Sequence, residues 1–145
     1  MRYDPATAPD TATWLSLDET QRLDLVSAYH RRTRVKPPNA NVHTAVYVIV
    51  ENQLAEGFDL AKDALERLMA EGLDRHEAIH AIGSVLIGHV GDLMGEGAKT
   101  PDPNGPYSQA LRTLTARGWR EAFGMARTTI PSGTKLPVTL TLRER

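Results

Sequence analysis

No cysteine occurs in the 145 residues. Disulfides, thiolate zinc sites and cysteine nucleophiles are therefore excluded, and a metal could sit only on His, Asp or Glu. No apolar run approaches the roughly 18 residues of a membrane-spanning helix. Net charge is also nearly absent: 17 basic residues stand against 18 acidic ones, so no global field recruits nucleic acid or an anionic membrane. Residues 1–13, rich in Ala, Thr, Pro and Asp, lack the basic-then-apolar order of a secretion signal. No internal repeat of solenoid type is present. The expectation is a cytoplasmic protein with one domain around one core.

What is present is helical periodicity interrupted by turn residues. Residues 1–13 read as a flexible arm. Ser16 and Glu19 carry a capping-box signature, so a first helix is expected to start there and to bury Leu17, Leu23, Val26 and Tyr29 or His30. Its basic end, Arg31, Arg32, Arg34 and Lys36, suits the carbonyl end of a helix dipole, and no aromatics interleave it as a nucleic-acid surface would require. Pro37-Pro38 ends it. In the second segment, Val42 to Glu56, Val46–Val50 is β-branched and aromatic, which favours a strand. The run passes into Glu51-Asn52-Gln53-Leu54-Ala55-Glu56 without a turn residue, and we read it as a helix buried on most sides. Gly57 stops it. A third helix follows from Asp59 to about Glu71, with Gly72 and Leu73 as its C-terminal stop.

Asp74 opens a fourth helix through Val90. Short connections predict that helices two, three and four pack up-down-up. The glycine- and proline-rich run after Met94 is a loop, and Pro106 opens a fifth helix over about Tyr107–Phe123. Leu136–Leu142 alternates like a strand, which is expected to add to another chain or to remain disordered. The fold class expected is mostly α: a single-domain bundle of about five helices over residues 14–124, followed by an extended, strand-like tail over 125–145.

Chemistry concentrates on two helical rows. His76-Glu77-Ala78-Ile79-His80 fits H-E-x-x-H, in which two imidazoles one turn apart hold a metal and the glutamate acts as base. Ser84 extends that row. On the second helix His43, Tyr47 and Glu51 fall at i, i+4 and i+8, with apolar residues between them. A carboxylate on such an inward face is costly unless hydrogen bonds, a cation or a metal satisfy it. With helices two and four parallel, Glu51 would lie near His80 or Ser84. His76, His80 and Glu51 would then form an open site for zinc or iron, with His43 as a fourth ligand or a supporting group.

Glu77 and Tyr47 are the candidate assistants of a metal-bound water. Glu77 also stands three residues after Asp74, which makes a second capping box and a poor free base. Arg75 reads as solvated and His89 as off the site, while His30 either lines the core or extends the network. Metzincin spacing is not reproduced at His89 or Asp92.

Asn41-Val42-His43, Glu51-Asn52-Gln53-Leu54 and Glu71-Gly72-Leu73-Asp74-Arg75-His76-Glu77-Ala78-Ile79-His80 together resemble a family of small bacterial helical proteins with no assigned activity. The resemblance covers Trp14 to Val90. It implies paired H-x-x-x-H-x-x-x-E helices that look like a metal site. Here Tyr47 replaces the second His of the first row and Ser84 the acid of the second, which favours one metal or none. Three functions follow as expectations. One is a divalent-metal-binding domain, with metal-dependent hydrolysis as its catalytic form. Another is a dimerising interaction module with a buried His/Glu/Tyr network, pairing with a second copy through the tail. The third is a small-molecule pocket lined by Tyr47 and the histidines.

Overall fold

The computed structural model describes residues 1–34, 39–96 and 105–129, with 90–96 and 123–129 described by backbone alone. It is mostly helical. Seven helices occur among the described residues: α1 (Thr11–Ser16), α2 (Glu19–Thr33), α3 (Ala40–Ala55), α4 (Asp59–Ala70), α5 (Arg75–Glu96), α6 (Gly105–Thr113) and α7 (Ala116–Thr129). None of them is long and apolar enough to cross a membrane. The strand-like segment 136–142 lies outside the described residues. Residues 125–129, assigned to the extended tail, belong to α7.

The second segment is a helix. Val48 and Val50 are fully buried and Val46 nearly so, while Ile49 is exposed. Burial on most of its circumference outweighs the modest penalty of β-branched side chains in a helix.

The stops act as read. Gly57 and Gly72 have φ of 78° and 109°. Each sits in a Schellman turn, with Phe58 and Leu73 donating to the carbonyls of Gln53 and Leu68. Asp74 and Glu77 make reciprocal capping bonds of 2.8 and 3.0 Å at the start of α5.

Other boundaries also differ from expectation, and the fourth helix runs to Glu96 rather than Val90. The first long helix is capped by Asp18 with Gln21 rather than by Ser16 with Glu19. Ser16 instead ends the short α1, where its hydroxyl donates to the Thr13 carbonyl. The expected fifth helix is two. The Arg67 guanidinium takes the Leu111 and Leu114 carbonyls, at 2.8 and 2.7 Å, while Glu71 takes the Ala116 amide and Thr115 Oγ1 the Gly118 amide. Backbone groups that would continue one helix are thereby bound to α4 and to a new cap.

Within residues 1–13, expected as a flexible arm, two side chains are buried and 11–13 belong to α1. Tyr3 and Pro5 are buried, and Tyr3 packs between Trp14 and Tyr29, with ring centroids 5.8 and 6.1 Å away.

The direction of α5 is the larger correction. Residues 43, 47 and 51 of α3 meet 80, 76 and 75 of α5, in reverse order. The two helices are therefore antiparallel. The end of α3 lies beside the start of α5, so α4, about 18 Å long at 1.5 Å per residue, crosses between neighbouring ends. It does not run back along both, as an up-down-up unit would. α5 packs on α3, α4 and α6. Gly83 permits the closest approach: a Cβ there would fall 2.6 Å from Val46 Cγ1.

Candidate functional site

A cluster of four imidazoles and one phenol lies between α2, α3 and α5. His43 and Tyr47, one turn apart on α3, point the same way. His76 and His80, one turn apart on α5, face them, and His30 from α2 closes the group. Ring centroids stand 4.4 Å apart for His30–His43, 4.7 Å for His43–Tyr47, 4.9 Å for His76–His80 and 5.5 Å for His43–His80. All but His76 are buried. The Tyr47 hydroxyl is the hub: it hydrogen-bonds Nε2 of His76 at 2.7 Å and also Nε2 of His80. Tyr29 packs edge-on to both His76 and His30.

Glu51, expected beside His80, is engaged elsewhere. The reversed helix direction carries it towards the start of α5, where Arg75 grips it with two bonds of 2.8 and 3.0 Å. Tyr3 donates to the same carboxylate at 2.6 Å, and Arg75 also donates to the Pro5 carbonyl at 2.9 Å. Glu51 and Arg75 are 2% and 8% exposed, so Arg75 is a buried counter-ion and not a solvated one. The expectation that a buried acid needs a cation or a metal is met here by the cation. Burial, reinforced by the neighbouring carboxylate, lifts the Tyr3 phenol well above its usual range, so it stays a donor. Burial acts to lower the Arg75 pKa, but the hydrogen bonds and charge of Glu51 outweigh it, and Arg75 holds its proton more tightly than usual.

Glu77 is tied to the Asp74 amide and belongs to the helix cap; it is not poised as a base. Ser84 donates to the His80 carbonyl, one turn back on its own helix. His89 stacks on Tyr107, 5.3 Å away and outside the cluster.

Of the residues read as one site, His43, Tyr47, His76 and His80 come together and Glu51 does not. His30 joins them. Tyr3 and Arg75 were missed as site-supporting residues. The available signal was Arg75 itself, a cation adjacent to His76 and within reach of any acid brought to the start of α5.

Among the described residues no group of three or more His, Asp or Glu is arranged to hold a metal ion. A third donor beside His76 and His80 would have to be the Tyr47 oxygen. Compared with family models, curated proteins and solved structures, the chain has no match in any of the three.

Proposed function

We propose that this protein binds a divalent transition-metal ion through His76, His80 and the Tyr47 oxygen, with His43 and His30 as flanking imidazoles. The observation that supports this reading is the convergence of two Nε2 atoms on one phenol oxygen inside a buried cluster. Two donors bound to one tetrahedral ion at about 2.0–2.1 Å stand roughly 3.3 Å apart. The 2.7 Å between Tyr47 Oη and His76 Nε2 is shorter, so the side chains would have to move apart to admit the ion. Imidazole with an anionic oxygen suits zinc and iron. A phenol ordinarily titrates near pH 10. Binding through the phenolate therefore releases a proton, and affinity rises with pH.

The test is metal loading of protein purified in chelator. Zinc or ferrous iron is expected to bind at one equivalent and to raise Tm. Oxidation of the iron form is expected to produce the visible phenolate-to-iron charge-transfer band. His76→Ala and His80→Ala should lose the metal, and Tyr47→Phe should lose the band. Absence of bound metal in the wild-type protein, or metal content unchanged in the two alanine variants, overturns the reading.

A second reading is favoured by the fact that the Tyr47 hydroxyl already has both imidazoles as partners. It is a metal-free polar network that fixes the packing of an interaction module. Under it, the same substitutions lower Tm with or without added metal.

A further inference from the structure

The Tyr47 oxygen meets two imidazoles on another helix, so its geometry depends on the register between α3 and α5. Apolar contacts, Gly83 against Val46 among them, set part of that register through close packing. A bidentate carboxylate–guanidinium pair sets it sharply, since two parallel bonds fix distance and angle together. Among the described residues the α3–α5 interface holds one such pair. Glu51 is one helical turn beyond Tyr47, and Arg75 immediately precedes His76.

That pair is held in turn by the start of the chain. Tyr3 donates to Glu51, the Pro5 carbonyl accepts from Arg75, and Arg32 of α2 donates to the Tyr3 carbonyl at 2.6 Å. A second route runs through rings: Tyr3 contacts Tyr29, and Tyr29 contacts His76 at 5.8 Å.

We infer that the Tyr3–Glu51–Arg75 clamp positions the phenol–imidazole site, and that the N-terminal segment is thereby a working part of that site. Tyr3 and Arg75 stand outside the Tyr47–His76–His80 triad. They act through Glu51, and Tyr3 also through Tyr29. This deepens the reading of those three residues as one site, but its readout requires no metal.

The experiment uses the full chain with ¹⁵N-labelled histidine. The Nε2 shifts of His76 and His80 report whether each nitrogen donates, accepts or binds a metal. Tyr3→Phe keeps the ring and removes only the hydroxyl. Arg75→Lys keeps the charge and loses the fork. Leu68→Ala, in the fully buried core on α4, serves as a control that lowers Tm without touching the clamp. Tyr3→Phe and Arg75→Lys are expected to move both Nε2 resonances away from their wild-type positions, and Leu68→Ala to leave them in place at a comparable loss of Tm. Where zinc binds, the clamp variants should weaken it about 10- to 100-fold, the usual range for groups that orient ligands.

Nitrogen shifts that move in Tyr3→Phe while no metal binds the wild-type protein leave the clamp standing and remove the metal reading. Nitrogen shifts in Tyr3→Phe indistinguishable from wild type overturn the inference, whatever happens to Tm.

Discussion

Replacing Arg75 by alanine strands the Glu51 carboxylate in the interior. In the wild-type protein that carboxylate accepts three hydrogen bonds, two of them from Arg75. The variant keeps only the bond from Tyr3 and also orphans the Pro5 carbonyl. Breaking a buried pair from one side costs about 3–5 kcal/mol. Against a total stability of about 5–15 kcal/mol for a domain, this is a large fraction. Urea unfolding at pH 7 should show it as a lower midpoint.

Removing both charges together with the Tyr3 hydroxyl, in Tyr3→Phe/Glu51→Leu/Arg75→Met, should recover part of the loss, because only the Pro5 carbonyl is then left without its partner. A loss below about 1 kcal/mol at pH 7 would refute the buried-pair argument.

Gly83→Ala should destabilise by about 1–3 kcal/mol through its clash with Val46, less up to about 1 kcal/mol gained in helix propensity; Val46→Ala in the same chain should relieve it, as thermal melts would show. Tyr107 is buried and its phenol is pushed up to about 12, despite a bond to Gln53 that acts to lower it. Stability from this group is complete below pH 10 and lost as pH rises from 10 towards 12, by about 2–3 kcal/mol. A Tyr107→Phe variant should flatten that alkaline fall in a pH series of melts. Thr115→Val should cost about 0.5–2 kcal/mol by removing the acceptor for the Gly118 amide, and its hydrogen-exchange signature should be faster exchange confined to the first turn of α7.

The sequence by itself determined several helix ends and which site residues share a helix face. The Asp74/Glu77 box, the two glycine stops and the helical reading of Val42–Glu56 depend on residues within a few positions of one another. Such short-range signals survive any tertiary arrangement. The same holds for His43/Tyr47 and His76/His80, since one helical turn places each pair on one face wherever the helix goes.

Partner choice was decided by the tertiary structure. Short loops around α4 fit two helix directions equally well, and only the antiparallel one sends Glu51 to Arg75 while leaving Tyr47 to the two histidines. The docked start of the chain was hidden for a similar reason. Nothing local marks Tyr3 as a core residue; it is buried because Glu51, Trp14 and Tyr29 converge on it from three different helices. The break between α6 and α7 likewise comes from Arg67 and Glu71, more than 40 residues away in sequence, through bonds that exist only once α4 has crossed the bundle.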